Sequence, residues 1–244
     1  MNTIGIIPAR YASTRFPGKP LVMVNGRSMI HRVYQQALKA GALDHLVVAT
    51  DDERIADHVE AFGGRVVMTA STHQSGTDRC AEVLESQTGF DVAINIQGDE
   101  PYINPEQINL VVSCFQNPET QIATLVKVIH SYEELLNSNT PKVLLNYKKE
   151  AIYFSRATLP FQRNAASNLW LDSHTYYKHI GIYGYKSKIL QELTQLPVSA
   201  LEKAESLEQL RWLENGYRIQ TAETDLETLA IDEPHDLDKL KNLE

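Results

Sequence analysis

The fold is decided by residues 4–19, which read IGIIPARYASTRFPGK. The run Ile4–Ile7 is apolar and predicts a buried β-strand. The loop that follows carries three cations, Arg10, Arg15 and Lys19, among small residues that leave backbone amides accessible. A strand that ends in such a loop is suited to hold a polyphosphate group.

Charge is distributed unevenly along the chain, whose formal net charge is -8. The first 43 residues contain six cations and no Asp or Glu, which leaves 17 Lys and Arg against 31 Asp and Glu, a net of -14, elsewhere. This acidic balance argues against general nucleic-acid binding, which needs a broad basic face. The local positive charge suits a small anion instead. The six cations are Arg10, Arg15, Lys19, Arg27, Arg32 and Lys39.

Length and composition are those of an ordinary globular protein, with 244 residues, 43% of them apolar and 22% charged. No apolar run approaches about 20 residues, and the N-terminus leads straight into a strand, so neither a membrane span nor a signal peptide is expected. Cys80 and Cys114 fall on the apolar stripes of predicted helices, which favours reduced core thiols over a disulfide. We therefore expect a cytoplasmic protein without a membrane partner.

The first half of the chain alternates apolar strands with amphipathic helices. Strands are predicted at 4–7, 46–50, 65–69 and 92–96, and helices at 29–40, 54–62, 77–86 and from Asn104-Pro105 onward. Asn104 is the expected N-cap of the last helix and Pro105 its first residue. This alternation predicts an α/β fold, a mostly parallel sheet with helices on both faces that binds ligands at the carboxyl ends of its strands.

The second half of the chain has a different pattern, with a hairpin and polar loops among the helices. We expect a hairpin at 142–154, a polar loop at 162–173, strands at 176–185 and 217–222, and helices at 187–193, 206–215 and 234–243. A run at 229–231 would deliver Asp232 at a strand end. Without a repeat or a clear linker, the chain is predicted to be one domain, residues 1–244, with an antiparallel insertion near residues 130–185.

The cationic loop matches neither of two common nucleotide-binding patterns. Gly18-Lys19 invites a P-loop interpretation, but Ser13 stands where that pattern needs Gly and Pro20 where it needs Ser or Thr. No G-x-G-x-x-G pattern follows the first strand, which counts against a nicotinamide-dependent oxidoreductase. A third kind of phosphate loop remains, with a solvated basic turn as the alternative.

Two acidic residues follow predicted strands on the ligand side of the sheet. Asp99 lies after the strand 92–96, and Asp232 follows the run 229–231. Carboxylate and phosphate oxygens are the ligands that Mg²⁺ prefers, so both residues are candidate magnesium ligands beside the cationic loop. Capping of a helix by Asp99, or compensation of a helix dipole by Asp232, is the structural alternative.

Two further groups of polar residues are candidates for ligand binding. In the segment 73–79, Gly76 and the hydroxyl groups could hold a flat ring, and Arg79 could reach the ring or the phosphates. Polar residues also interrupt apolar stretches at 153–156, 179–183 and 208–209, where Arg156 could bind a carboxylate through two hydrogen bonds. Taken singly, a capped helix start or a satisfied structural residue explains each of them.

Together these motifs resemble those of the sugar cytidylyltransferases, and the longer blocks resemble the members that activate 3-deoxy-manno-octulosonate (Kdo). The resemblance covers nearly the whole chain. It rests on Pro8-Ala9-Arg10, Arg15, Pro17-Gly18-Lys19-Pro20-Leu21, Ala49-Thr50-Asp51, Met68-Thr69, His73-Gln74-Ser75-Gly76-Thr77-Asp78-Arg79, Gln97-Gly98-Asp99-Glu100-Pro101, Tyr153-Phe154-Ser155-Arg156-Ala157, His179-Ile180-Gly181-Ile182-Tyr183-Gly184-Tyr185 and Leu207-Glu208-Gln209-Leu210-Arg211.

The resemblance implies a nucleotide-diphospho-sugar transferase fold, a homodimer with the insertion as its arm, and the reaction CTP + Kdo → CMP-Kdo + diphosphate, which supplies lipopolysaccharide synthesis. The catalytic residues that it implies are Arg10, Arg15, Lys19, Asp99 and Asp232, the two Asp residues as ligands of Mg²⁺. The implied nucleotide-binding residues are Pro8, Ala9, Arg10, Arg15, Lys19, Ser75, Gly76, Arg79 and Gln97. The implied sugar-binding residues are Gln97, Arg156, His179, Tyr183, Glu208 and Gln209.

Three alternatives stay open on the sequence. Related members of the family activate 8-amino-Kdo or sialic acid, and the sequence does not settle the substituent at the far end of the sugar. A nicotinamide-binding oxidoreductase is a second alternative, and a non-catalytic assembly protein of the same fold is a third.

Overall fold

Within the part of the chain that the structure describes, nine strands form one central sheet and two more form a small hairpin. The computed structural model describes residues 1–12, 16–227 and 229–240. The strands are β1 (Thr3–Ala9), β2 (Met23–Val24), β3 (Arg27–Ser28), β4 (His45–Thr50), β5 (Val66–Met68), β6 (Val92–Asn95), β7 (Ile122–Val128), β8 (Lys142–Leu145), β9 (Ala151–Ser155), β10 (Tyr177–Lys186) and β11 (Ile219–Glu223). The α-helices are α1 (Met29–Ala37), α2 (Glu53–Ala61), α3 (Gly76–Ser86), α4 (Pro105–Ser113), α5 (Tyr132–Leu136), α6 (Trp170–Ser173), α7 (Ser187–Leu193), α8 (Ala200–Glu205) and α9 (Gln209–Glu214).

The central sheet has the strand order β11-β7-β10-β6-β1-β4-β5. β1 pairs in parallel with β4 and with β6, and β4 pairs in parallel with β5. β10 runs antiparallel to both of its neighbours in this order, β6 and β7. The chain moves outward from β1 to β5 and then returns to β6 on the other side of β1. This reversal places a crevice at the carboxyl ends of β1 and β6, where sheets of this kind bind ligands.

Helices cover both faces of the sheet, and β1 is buried between them. On one face α1, α2 and α4 pack against residues such as Ile7, and Ile108 of α4 is fully buried there. On the other face α3, α7 and α9 pack against residues such as Ile6, together with Trp212 of α9. Burial on both faces explains why β1 reads as a near-continuous apolar run rather than an alternating one.

The predicted α/β class, with a mostly parallel sheet and helices on both faces, is confirmed. Each strand and helix predicted in the first half occurs within a few residues of its expected place. Asn104 caps α4 as predicted, since its side chain accepts a hydrogen bond of 3.0 Å from the backbone N–H of Glu106. Both cysteines are free, and Cys80 is fully buried in the core. None of the described helices has the length and apolar character that a membrane crossing requires.

Several predictions for the second half are wrong. β7, which the sequence analysis does not predict, lies inside the sheet between β10 and β11, and α5 and α8 are also additional elements. The supposed polar loop 162–173 contains α6, whose Trp170 is buried and stacks on Tyr176. The run 229–231 is not a strand. The closing helix is a 3-10 helix, Pro234–Leu240, and its predicted last residues lie outside the described part.

The predicted antiparallel insertion is only partly separate from the sheet. β8 and β9 form the expected antiparallel hairpin, and β8 pairs with the first residues of β10. The rest of β10, however, runs beside β6 in the middle of the sheet, so the insertion does not extend to residue 185. Its peripheral part ends near Tyr176, just before β10 begins.

Candidate active site

A cavity of about 310 Å³ lies at the carboxyl ends of β1 and β6, in the crevice that the strand order creates. It is lined by Pro8, Ala9, Arg10, Lys19, Pro20, His73, Gln74, Ser75, Gly76, Arg79, Gln97, Gly98, Asp99 and Asp232. This set includes all the described residues that the sequence analysis assigns to the nucleotide or to magnesium. Arg15, the remaining residue of that assignment, lies outside the described residues.

The Lys19 ammonium group is held between an acidic side chain and a backbone carbonyl. Its Nζ lies 2.7 Å from Oδ2 of Asp99 and donates a hydrogen bond of 2.8 Å to the carbonyl oxygen of Ile231. The two charged side chains are mostly buried, at 17% and 25% exposure. Two oxygen atoms from distant parts of the chain therefore converge on one cation at the floor of the cavity.

The segment that carries Asp232 is attached to the Asp99 loop through its backbone. The N–H of Ile231 donates a hydrogen bond of 2.9 Å to the carbonyl oxygen of Asp99. The carboxylate of Asp236 accepts hydrogen bonds from the N–H groups of Asp232, at 3.0 Å, and Glu233, at 2.9 Å, and so fixes the turn. The prediction of a strand before Asp232 is wrong because this backbone pairs with a loop and not with a sheet edge. Asp99 and Asp232 nevertheless line the same cavity.

The cavity has oxygen atoms that could bind a divalent cation. The Asp99 carboxylate and the Ile231 carbonyl both contact the Lys19 ammonium group, and Asp232 lines the same cavity. Among the described residues no group of three or more His, Cys, Asp or Glu could hold a metal ion. Two carboxylates suit Mg²⁺, which commonly takes one or two protein carboxylates and completes its shell with phosphate oxygens and water.

Three loops approach closely around Pro8, and two glycines permit this. A Cβ atom on Gly98 would lie 2.8 Å from the carbonyl oxygen of Pro8, and one on Gly76 would lie 3.1 Å from the Pro8 ring. Gly76 is the first residue of α3, whose N-terminus is closed by a capping box between Ser75 and Asp78. The loops after β1 and β6 and the start of α3 therefore form one wall of the cavity.

Arg79 is almost fully buried, at 4% exposure, and its guanidinium group already has partners. It forms an ion pair of 3.1 Å with Oδ1 of Asp51 and donates a hydrogen bond to the hydroxyl of Thr69. Asp51 follows β4 as Asp99 follows β6, a signal that the sequence analysis quotes without assigning it a role. Arg79 thus lines the cavity as a fixed group that joins the loops after β4 and β5.

The cationic loop is anchored by Tyr11, which the sequence analysis does not single out. The N–H of Gly18 donates a hydrogen bond of 2.9 Å to the Tyr11 carbonyl oxygen, and Gly18 has a φ of 72°. The guanidinium carbon of Arg54 lies 3.4 Å from the Tyr11 ring centroid. Asp52 holds Arg54 in turn, at 2.6 Å. Tyr11 therefore links the described part of the loop to the N-terminus of α2.

The residues assigned to the sugar acid are distributed more widely than the nucleotide group. Only Gln97 lines the cavity; His179 lines a neighbouring cavity of about 300 Å³, beside Lys178 and the loop before β8. The guanidinium group of Arg156 donates hydrogen bonds to three backbone carbonyl oxygens, those of Glu205 (2.7 Å), Ser138 (3.1 Å) and Ser206 (3.3 Å). This arrangement fixes Arg156 between the end of α8 and the loop before β8.

Glu208 connects the sugar-acid group to the cavity. Its Oε2 accepts a hydrogen bond of 2.7 Å from the hydroxyl of Thr77, which follows Gly76 in α3. The neighbouring Gln209 has a buried Nε2 that lacks a hydrogen-bond partner among the described residues. Tyr183 packs against His179, with ring centroids 5.1 Å apart. Four of the predicted residues therefore lie around β10 and α9, with Tyr183 and Gln209 buried and His179 and Glu208 partly buried.

Burial disfavours the charged forms of the three titratable residues among these four, His179, Tyr183 and Glu208. Desolvation lowers the pKa of His179 to about 3, so its ring is neutral near pH 7 and faces the Thr124 hydroxyl at 3.0 Å. Burial raises the pKa of Tyr183 well above its usual value. Burial also raises the pKa of Glu208, against the opposing effect of the Thr77 hydrogen bond. Neutral hydrogen-bonding groups of this kind suit a polyhydroxylated ligand.

Comparisons with known proteins agree with this geometry. The family model described as Cytidylyltransferase matches residues 4–243. The 3-deoxy-manno-octulosonate cytidylyltransferase of Bacteroides thetaiotaomicron is 59% identical, over 97% of this chain and 96% of its own length. The protein of the same description from Parabacteroides distasonis is 57% identical, over 98% of this chain and 96% of its own length.

Solved structures show the same relationship. The structure of CMP:2-keto-3-deoxy-manno-octonic acid synthetase complexed with CTP superposes with a TM-score of 0.91 at 41% identity, covering 98% of this chain and 97% of that one. A cytidylyltransferase from Leptospira borgpetersenii, at 15% identity and a TM-score of 0.64, covers 99% of this chain and 85% of its own and shares the fold. The match of the family model over nearly the whole chain, with relatives more than half identical in sequence, shows that this chain belongs to the cytidylyltransferase family.

Proposed function

We propose that the chain transfers CMP from CTP to Kdo, giving CMP-Kdo and diphosphate. The observation that carries this proposal is the convergence of Arg10, Lys19, Asp99 and Asp232 on one cavity, in a chain 59% identical to a 3-deoxy-manno-octulosonate cytidylyltransferase. Membership of the cytidylyltransferase family excludes the hypothesis of a nicotinamide-binding oxidoreductase. A diphosphate-release assay distinguishes Kdo from 8-amino-Kdo and sialic acid as the substrate.

The reaction is an in-line displacement in which the anomeric hydroxyl of Kdo attacks the α-phosphorus of CTP. The bond to the leaving diphosphate breaks and the hydroxyl proton passes to solvent. The protein has to align the two reactants and stabilise charge on the phosphoryl oxygens. Arg10 is exposed at the cavity and has no hydrogen bond or ion pair with another described residue, so it is free to bind the triphosphate. Lys19 would move from Asp99 to the diphosphate when the nucleotide enters.

Magnesium is proposed as the cofactor, with Asp99 and Asp232 as its protein ligands. The Lys19 ammonium group between Asp99 and the Ile231 carbonyl supports this, because it marks where these oxygens accept a cation. When bound, magnesium would supply positive charge to the phosphate oxygens and lower the pKa of the attacking hydroxyl. The sequence does not single out a general base, so this effect on the hydroxyl is the activation that we propose.

The sugar acid is proposed to bind between Gln97 and the polar group around α9. Gln97 lines the nucleotide cavity, and the Glu208–Thr77 hydrogen bond brings α9 to the start of α3. Arg156 is the cation proposed for the Kdo carboxylate, which requires it to exchange a carbonyl partner for the ligand. Tyr183, His179 and Gln209 would then meet the hydroxyl groups.

We propose that the protein is a homodimer. We also propose that it acts in the cytoplasm and supplies lipopolysaccharide synthesis. Large apolar side chains are exposed in the region between residues 130 and 176, among them Tyr147, Ile152, at 56% exposure, and Phe161, at 74%. Apolar side chains concentrated on one peripheral region are typical of an interaction surface. Light scattering of the wild type and of Ile152→Asp would test the dimer, which this substitution should weaken.

A diphosphate-release assay tests the activity. CTP and UTP are each combined with Kdo, 8-amino-Kdo or sialic acid, with and without Mg²⁺. We expect release only with CTP, Kdo and Mg²⁺ together. Asp99→Asn should fold normally and lose turnover by about 100-fold or more, whereas Asp172→Asn on the exposed face of α6 should match the wild type. Full activity of Asp99→Asn at saturating CTP, or equal release with sialic acid, would contradict the proposal.

A further inference from the structure

A second cavity, of about 340 Å³, lies between the β2–β3 hairpin, α1 and the end of the Asp99 loop. Its lining contains three cations, Arg27, Arg32 and Lys39, and no carboxylate among the described residues. Of the other N-terminal cations, Arg10 and Lys19 line the nucleotide cavity, and Arg15 lies outside the described residues. Tyr102, three residues after Asp99, forms part of the wall, so the two cavities share one loop.

Arg32 is a fixed cation in this cavity. Its Nε and Nη2 donate hydrogen bonds to the carbonyl oxygens of Val24 and Asn25 in the hairpin. Its guanidinium carbon lies 5.3 Å from the ring centroid of Tyr102, whose hydroxyl accepts a hydrogen bond of 3.0 Å from the Asn25 amide. Two of the five N–H groups of the side chain are thus used to orient it, which leaves the others for a ligand. A cation held in this way loses little conformational entropy on binding.

The other two cations are not neutralised. Arg27 is exposed, and its side chain makes no hydrogen bond or ion pair with another described residue. Lys39 donates a hydrogen bond of 2.6 Å to the uncharged Gln36 side chain. The positive field reaches His31 on the same helix, since its pKa is lowered first by burial and then by Arg27, with smaller contributions from His58 and Arg32.

The geometry points to a second anion site that binds a diphosphate group, either as free diphosphate or as the tail of a nucleoside triphosphate. Two linked phosphates present acceptor oxygens on both groups, and charge-assisted hydrogen bonds to Arg and Lys are the strong ones. The cavity is about as large as the nucleotide cavity, at 340 against 310 Å³. An ordinary solvated basic face would present scattered cations, whereas here three of them line one concave site in a chain with 31 acidic residues.

Calorimetric titration with sodium diphosphate tests the site. The background variant is Arg10→Gln/Lys19→Met, which removes two of the cations that line the nucleotide cavity. Low ionic strength is needed because salt screens such contacts. We expect this variant to bind one diphosphate per chain. Adding Arg27→Gln/Lys39→Gln should weaken binding by at least about tenfold, since the charge-assisted hydrogen bonds of two cations are lost. A parallel titration with CTP shows whether the site prefers free diphosphate or the diphosphate tail of a nucleoside triphosphate.

The matched control adds Lys188→Gln/Lys203→Gln to the same background, which removes the same charge from exposed positions on α7 and α8. It should bind diphosphate as tightly as the background does, and equal thermal midpoints would show that all variants are folded. The inference is overturned if the background variant binds no diphosphate at millimolar concentration. It is also overturned if Arg27→Gln/Lys39→Gln has no effect or if the control loses as much. None of these results depends on whether CMP transfer is observed.

Discussion

Replacing Lys19 by Met should make the free protein bind a divalent metal more tightly. In the free chain the ammonium group occupies the site between Asp99 and the Ile231 carbonyl, at 2.7 and 2.8 Å, so a metal ion has to displace it. Met has a side chain of similar length and no charge. The same substitution should weaken nucleotide binding, because the cation proposed to meet the diphosphate is lost. The two effects therefore have opposite signs.

The size of the effect follows from the ion pair. Two unit charges at 2.7 Å attract by about 1.5 kcal/mol in water and about 6 kcal/mol at an effective dielectric constant of 20. Both side chains are mostly buried but solvent still reaches them, and desolvation offsets much of the attraction. A net contribution of about 1–2 kcal/mol is reasonable, which corresponds to a metal affinity roughly 5–30-fold higher in Lys19→Met.

Titration with Mn²⁺ followed by electron paramagnetic resonance measures this directly, since the free ion gives a strong signal and the bound ion a weak one. Nucleotide is left out, so the reading does not depend on turnover. Lys188→Met, on the exposed side of α7, serves as the control for loss of one positive charge. The reasoning is refuted if Lys19→Met binds Mn²⁺ no more tightly than the wild type. A gain of the same size in Lys188→Met would refute it equally.

Three further substitutions test other parts of the structure. Gly98→Ala places a Cβ 2.8 Å from the Pro8 carbonyl oxygen and should lower the free energy of unfolding, measured in urea, by about 1–3 kcal/mol. Gly41→Ala has open space at its Cβ and should have little effect. Equal losses of stability in the two variants would contradict this. Burial raises the pKa of Glu208 in the folded state, so its ionisation costs stability as pH rises through its unfolded and then its folded pKa. Glu208→Gln should therefore match the wild type in acid and become more stable than the wild type as pH rises towards 8. A stability difference that does not depend on pH would contradict this. Arg54→Ala removes the contact with the Tyr11 ring, which contributes about 0.5–1 kcal/mol. The variant should therefore have a KM for CTP about 2–5-fold higher than that of the wild type and an unchanged KM for Kdo. A rise in KM for both substrates would contradict a specific role of Arg54 in the cationic loop.

The first half of the fold could be predicted because its signals are local. β1 is buried on both faces and reads as an apolar run, and the start of α4 is marked by its own cap at Asn104. β7 carries a comparable apolar run, but its partners β10 and β11 begin about 50 and 100 residues later, so its place in the sheet depends on pairings that no local pattern displays. Without β7 in the sheet, β10 resembles part of an insertion.

The candidate site could be predicted for similar reasons. In a parallel sheet, residues after adjacent strands meet at the same edge, so the sequence alone predicts that Arg10 and Asp99 lie together. Asp232 reaches the cavity by another route, since its neighbour Ile231 is hydrogen-bonded to a carbonyl 132 positions earlier in the chain. A contact of that separation in irregular backbone has no sequence signature. The sequence also does not predict the Lys19–Asp99 ion pair, because it suggests a phosphate partner for Lys19 and a metal partner for Asp99.

The pairing of cations with strand-end acids offsets the repulsion among the positive charges that line the cavity. Like charges gathered around one cavity repel, and this repulsion costs stability until a ligand arrives. Lys19 is paired with Asp99, after β6, and Arg79 with Asp51, after β4, so each positive charge that faces inward has an acid at the same edge of the sheet. Arg10, which faces solvent, needs no such partner. Because Arg79 is almost fully buried and Lys19 keeps some exposure, the Arg79–Asp51 pair is suited to hold the loops and the Lys19–Asp99 pair to open. The acids after parallel strands therefore act as counter-ions in this structure, and on the proposed mechanism Asp99 would become available to a metal only when Lys19 leaves it.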